Sequence, residues 1–147
     1  MDHFKRFNDQ YGHLAGDECL RQVSQVLASC VRRAGELLAR YGGEEFVLLL
    51  PGANLAHAQE MAQRCLHRIT HKQLPHVASP TAAHVTFSIG VAHVMPKVAE
   101  RPETLVNAAD TAMYRAKMAG RACYAVANLA DWKIDKDASR SRPAALE

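Results

Sequence analysis

The sequence predicts an α+β fold, a sandwich in which helices flank a mainly antiparallel central sheet, and three observations carry that expectation. Amphipathic stretches with apolar residues three and four apart alternate with short apolar runs of strand length. A glycine pair, Gly42 and Gly43, separates two such runs and marks a hairpin. The order helix, helix, hairpin, helix, strand, helix, strand then places helices against a sheet rather than against one another alone.

Each element follows from its residues. Phe4 to Tyr11 forms a short helix that Gly12 stops, because glycine takes the left-handed conformation that ends a helix. From Asp17, the residues Cys19, Leu20, Val23, Val26, Leu27, Cys30 and Val31 share one face of a helix of about four turns. Leu37 to Tyr41 and Phe46 to Leu50 are the hairpin strands, closed by Pro51 and Gly52. Asn54 caps a helix that runs to about Thr70, with Leu55, Ala58, Met61, Ala62, Cys65, Leu66 and Ile69 inward. Residues 71–83, with Pro75 and Pro80, form a loop. Val85, Phe87, Ile89 and Val91 alternate with His84, Thr86 and Ser88 as a strand in which Gly90 marks a bulge or a close approach. A loop containing Pro96 and Pro102 follows. Glu103 to Ala119 is helical, with Leu105, Val106, Ala109, Met113 and Ala116 inward and Gly120 as its C-terminal stop. Cys123 to Val126 is a last strand. A sheet of this kind needs a strand leading into the first helix, and none precedes Phe4, so the first strand is expected to be missing.

Composition narrows the function classes. The chain has 147 residues, 48% of them apolar, enough for a real core and too many for disorder throughout. Its 18 Lys+Arg against 15 Asp+Glu give a net charge of +3, short of a nucleic-acid footprint, and Arg140 and Arg142 near the end are balanced by acids. The longest apolar run, Ala122 to Ala127, falls far short of the roughly 20 residues of a membrane helix. Cys19, Cys30, Cys65 and Cys123 contain no Cys-x-x-Cys pair and no dense framework, so four reduced, largely buried thiols in a cytoplasmic protein are expected. Residues 128–147 turn to Asp, Lys, Ser, Arg and Pro and are expected to form a poorly ordered tail.

The hairpin carries the chemistry. Glu44 and Glu45 follow two glycines at its tip, where adjacent carboxylates repel unless a cation or donors neutralise them. Gly42 and Gly43 lack side chains, so a ligand can approach their amides closely. Taken alone, the same four residues also read as a solvated acidic turn. His67 and His71, four apart on a helix, form a possible zinc pair, but Arg68 stands where a zinc-protease motif needs Glu.

The hairpin does not stand alone. Arg40-Tyr41-Gly42-Gly43-Glu44-Glu45-Phe46, taken with Asp2 to His13 and Gly16-Asp17-Glu18, resembles the GGDEF family of diguanylate cyclases, here in a GGEEF variant. The resemblance continues through Phe87 to Ala92 and Ala109 to Arg121, and covers about residues 1–127. It implies a palm-like fold shared with nucleotide cyclases and some polymerases. It also implies two facing domains, each holding one GTP, whose 3′-hydroxyls attack each other's α-phosphorus to give cyclic di-GMP and pyrophosphate. Such transfer needs positioning and charge neutralisation, hence Mg2+ or Mn2+. By the same resemblance Glu44 is the metal-binding carboxylate and Glu45 its neighbour in the chemistry. Asn8 and Asp17 recognise the guanine edge, as an amide oxygen and a carboxylate suit its N–H donors. Lys5, Lys117 and Arg121 contact phosphates, beside Gly42 and Gly43.

Two departures accompany the resemblance. The family carries a second metal carboxylate two positions before the aspartate matching Asp2, and a helix and strand before that, so residues 1–127 are expected to be the domain without its N-terminal helix and strand. An upstream sensor or receiver domain is expected in the full-length protein. The family's product-inhibition site, Arg-x-x-Asp, corresponds here to Arg33-Ala34-Gly35-Glu36, with Glu36 in place of the aspartate. Arg33 is suited to clamp a phosphate or stack on guanine, and the pair equally reads as a surface Arg and Glu near a helix end. Two function classes follow: a diguanylate cyclase domain acting as a homodimer, and a catalytically inactive module that binds GTP or cyclic di-GMP.

Overall fold

The computed structural model describes residues 1–95, 101–128 and 132. The expected tail, 128–147, lies outside the described residues apart from Asn128 and Trp132. The elements are α1 (Phe4–Tyr11), α2 (His13–Ala28), β1 (Leu37–Gly42), β2 (Glu45–Leu49), α3 (Leu55–Lys72), β3 (Ile89–Val91), α4 (Pro102–Met118) and β4 (Tyr124–Val126).

Local chemistry sets most boundaries. Gly12, at φ 84°, donates its N–H to the Asn8 carbonyl at 2.7 Å and ends α1. The same glycine opens α2, which therefore starts at His13, one turn before the Asp17 that the apolar period suggested. Asn54 caps α3 by accepting from the His57 N–H at 2.9 Å. β1 and β2 form an antiparallel hairpin in which Leu37 faces Leu49 and Arg40 faces Phe46, with an irregularity between Arg40 and Gly42.

β3 pairs in parallel with β4 over three residues, Ile89 against Tyr124 through Val91 against Val126, with α4 as the crossover. The sheet is thus two separate ribbons, the longer one antiparallel. The strand expected over 85–91 shortens to Ile89–Val91 because only those residues find a ladder partner. Val85 N–H bonds the Leu74 carbonyl at 2.8 Å, and the Thr86 carbonyl accepts from Asp2 N–H at 3.0 Å. Residues 1 and 2 lie between the ribbons, since the Met1 nitrogen also donates to the Glu44 carbonyl at 3.0 Å. Phe46 and Phe87 meet edge-on across the same space, with ring centroids 6.5 Å apart.

The core runs from Phe7 through Cys19, Val23, Leu27 and Cys30 of the α2 region to Met61, Cys65 and Ile69 of α3, closing on Val85 and Phe87. Side chains buried this fully each stabilise by about 1.5–3 kcal/mol. All four cysteines are free thiols; Cys19, Cys30 and Cys65 are buried and Cys123 is half-buried. Burial raises the thiols of Cys19, to about 11, and of Cys65, so both stay protonated and behave as small hydrophobes. On α4 the fully buried stripe is Ala108, Ala112 and Ala116, while Leu105, Val106, Ala109 and Met113 are only half-buried. α4 packs close against β3: a methyl at Gly90 would overlap the Ala109 carbonyl oxygen and crowd the Met113 nitrogen. No described helix is long and apolar enough to cross a membrane.

Candidate functional site

Asn8 lies on α1 and Asp17 on α2, and the packing of these two helices brings them to one place. Gly16 makes this possible, because a methyl there would overlap Asn8 Oδ1. That Oδ1 is buried and has no hydrogen-bond partner. An orphaned buried acceptor costs roughly 1–3 kcal/mol, so the position favours an incoming N–H donor. Asp17 is exposed beside it in sequence, and lines a cleft of about 540 Å³ with Leu20, Arg21, Ser24, Gln25, Arg40 and Phe46. The cleft joins the start of α2 to the hairpin.

At the tip of that hairpin, Gly43 takes φ 49°, which a side chain would strain, and Arg40 Nε donates to the Gly43 carbonyl at 2.7 Å. Space around Gly42 and Gly43 is open. The Glu44 side chain is half-buried and Glu45 is exposed, and neither carboxylate accepts a hydrogen bond among the described residues. Burial pulls the Met1 amine down to about 6; Asp2, Glu44 and Glu45 oppose that shift and Lys117 reinforces it. Lys117 of α4 therefore shares an electrostatic neighbourhood with the hairpin carboxylates. Arg121 stands near the start of α1, since after burial its guanidinium is the largest influence holding the His3 imidazole below its ordinary value. Lys5 is exposed on α1, whose first turn has no side-chain cap among the described residues.

Among the described residues no three His, Cys, Asp or Glu side chains stand together as a ready-made metal cage. Glu44 and Glu45 nevertheless offer hard oxygen donors of the kind that holds a small divalent ion jointly with substrate phosphates. The donor chemistry fits such an ion when it arrives with a nucleotide.

Arg33 and Glu36 sit apart from this cluster, at the opposite end of β1. Glu36 is almost closed off, with its side chain 3% exposed. Its Oε2 accepts from the Arg32 N–H at 2.9 Å and the Arg33 N–H at 3.0 Å, and its Oε1 meets His57 Nε2 at 2.8 Å. The Arg33 and Arg32 amides, then His57, hold the carboxyl down at about 2. In this structure the carboxylate is engaged with two backbone amides and an imidazole. Arg33 is exposed. His67 and His71 stack loosely, ring centroids 6.2 Å apart, in a separate groove of about 410 Å³ that holds none of the site residues.

Two features escaped the sequence reading. One is the left-handed His3 at the uncapped start of α1. The other is the engagement of Asp2 with Thr86 and Ser88. Its sequence signal was the pair of hydroxyls alternating with Val85, Phe87 and Ile89 in an otherwise apolar strand.

Comparison with known proteins gives consistent findings. The family model described as "Diguanylate cyclase, GGDEF domain" matches residues 1–123. The chain is 40% identical over 121 residues to the response regulator PleD of Caulobacter vibrioides, covering 82% of this chain and 26% of PleD. It is 37% identical over 126 residues to the cyclic di-GMP phosphodiesterase PdeR of Escherichia coli, covering 86% of this chain and 18% of PdeR. The active GGEEF domain of a diguanylate cyclase from Vibrio cholerae superposes with a TM-score of 0.72 at 27% identity, covering 86% of this chain and 78% of that one. The chain thus spans about a quarter or less of the length of these two curated relatives.

Proposed function

Because the chain belongs to the GGDEF family of diguanylate cyclase domains, we propose that it forms the catalytic domain of a diguanylate cyclase, condensing two GTP into cyclic di-GMP and pyrophosphate across a homodimer. One observation carries the reading: the buried Asn8 Oδ1, without a hydrogen-bond partner among the described residues, packs against Gly16, next to which Asp17 lines a cleft that reaches Arg40 and Phe46 of the hairpin.

The roles follow from chemistry. Asn8 Oδ1 and the Asp17 carboxylate accept from the N1–H and N2–H donors of guanine, a pairing adenine cannot satisfy. Lys5, Lys117 and Arg121, with the backbone at Gly42 and Gly43, neutralise and orient the triphosphate. Glu44, with Glu45 beside it, holds Mg2+ or Mn2+, and that ion, when bound, offsets charge on the phosphates. Each 3′-hydroxyl oxygen forms a bond to the facing α-phosphorus and gives its proton to water, as the bond from that phosphorus to the α–β bridging oxygen breaks and one pyrophosphate leaves from each GTP. One domain brings one 3′-hydroxyl, so ring closure requires two copies face to face.

GTP as substrate places the reaction in the cytoplasm, and the short share of the relatives' length leaves room for an upstream sensor or receiver domain. Feedback through Arg33 and Glu36 is disfavoured because the Glu36 carboxylate is already bonded three ways. A second reading, a module that binds GTP or cyclic di-GMP without turnover, draws on the fact that among the described residues no three His, Cys, Asp or Glu side chains stand together to hold a metal. The test is to incubate the full-length protein with GTP and Mg2+ and chromatograph the mixture for cyclic di-GMP. Product supports the cyclase; GTP binding without product supports the module.

A further inference from the structure

Asp2 is only 2% exposed, and its hydrogen-bond partners explain why a polar side chain is tolerated there. Its Oδ1 accepts from Ser88 Oγ at 2.7 Å, and its Oδ2 accepts from Thr86 Oγ1 at 2.9 Å and from the Ala122 N–H at 3.3 Å. The last contact spans 120 residues of sequence and ends in an unusual loop. Gly120, Arg121 and Ala122 all have positive φ, at 109°, 66° and 51°, and Arg121 and Ala122 are the one adjacent non-glycine pair in that region among the described residues. Residues with a Cβ resist this conformation and persist in it only where the surroundings impose it. Two backbone bonds, Gly120 N–H to the Lys117 carbonyl at 3.4 Å and Arg121 N–H to the Ala116 carbonyl at 3.1 Å, tie the loop back to α4. A third tie reaches it from Asp2, whose Oδ2 accepts from Ala122.

We propose that Asp2 is a positioning residue: its carboxylate clamps the Ala122 amide, holds the Arg121–Ala122 backbone left-handed, and so aims the Arg121 guanidinium at the phosphates of bound GTP. The role rests on the reading of Arg121 as a phosphate-contacting cation. Asp2 touches no substrate in this scheme. It joins the start of α1, the polar face of residues 86–88 and the loop after α4, three segments that must keep register if Lys5, Lys117 and Arg121 are to converge.

The experiment measures GTP affinity at fixed Mg2+ by calorimetry, and amide exchange at Ala122 by NMR without nucleotide, in the 147-residue chain and its variants. Asp2→Ala should weaken GTP binding roughly tenfold and accelerate Ala122 exchange. Arg121→Ala should weaken binding by a similar factor, and the double variant no further. Asp2→Asn should retain affinity, because the amide can give its oxygen to Thr86 and Ala122 and its NH2 to the Ser88 hydroxyl. Ala122→Gly should restore much of the affinity lost in Asp2→Ala, since glycine adopts the conformation unaided; a purely structural aspartate would not be rescued there. If Asp2→Ala does not fold, Asp2→Ser serves, its hydroxyl being too short to reach Ala122. Unchanged exchange at Ala122 overturns the clamp. Faster exchange with unchanged affinity, where Arg121→Ala does bind more weakly, overturns the aiming of Arg121. No effect of Arg121→Ala overturns the phosphate reading instead, and exchange still decides the clamp.

Discussion

The two ends of the β1–β2 hairpin hold the same residue type in opposite circumstances. At its base Glu36 is closed off, bonded to two amides and an imidazole, and its carboxyl is held at about 2. At its tip Glu44 and Glu45 accept nothing from the described protein, over glycines with open space around them. A carboxylate whose oxygens are satisfied has no capacity left for a ligand, and its charge serves the fold. Two carboxylates in adjacent positions that accept nothing from the described protein keep their oxygens for water or for an external cation. Burial and partnering, more than residue identity, divide structural acid from functional acid here.

That division can be broken in graded ways. Glu44→Ala or Glu45→Ala in the full-length protein should lower cyclic di-GMP formation by at least about 100-fold, with the melting temperature unchanged. Full turnover in both variants would erase the distinction at the tip. Asn8→Ala combined with Asp17→Ala should cut the preference for GTP over ATP by roughly tenfold or more in competition binding. At the base the sign reverses: His57→Ala should leave GTP binding intact and lower the melting temperature by roughly 5 °C. Glu36 also predicts a pH window. Its folded value of about 2 lies below the ordinary 4.5, so its stabilisation is complete above pH 4.5 and fades as pH falls toward 2. Acid unfolding of Glu36→Gln should therefore be flatter than wild type across that window. Glu18, drawn to about 2 by Arg21 and then Gln22, titrates there in both proteins and cancels in the difference. Smallest is the glycine pair. Gly43→Ala should cost about 1 kcal/mol for its positive φ, whereas Gly42→Ala should melt like wild type yet bind GTP more weakly.

Elements governed by neighbours in sequence were legible. Gly12, Asn54 and Gly120 announce their helix boundaries, and the hairpin lies within a residue of its expected span, because caps and tight turns are written in a few adjacent residues. Parallel pairing of β3 with β4 was not, since it depends on how α4 crosses over. Glu36 with His57, and Asp2 with Ser88 and Ala122, lie 21, 86 and 120 residues apart, and no local period encodes such contacts. Asn8 and Asp17 came from family resemblance. A physical hint was nonetheless present in Gly16, a glycine inside a helix, which costs about 1 kcal/mol against alanine and so asks what approaches it.

Gly90 gives α4 a fixed origin. The Ala109 carbonyl and the Met113 nitrogen seat so tightly over the missing side chain that the helix has no freedom to slide along β3. Lys117 follows Met113 by one turn, about 6 Å along the axis, so its height above the hairpin is gauged from that seat as on a ruler. A residue with no side chain thereby sets the reach of one with the longest kind, and a single methyl at position 90 would miscalibrate a charge it never meets.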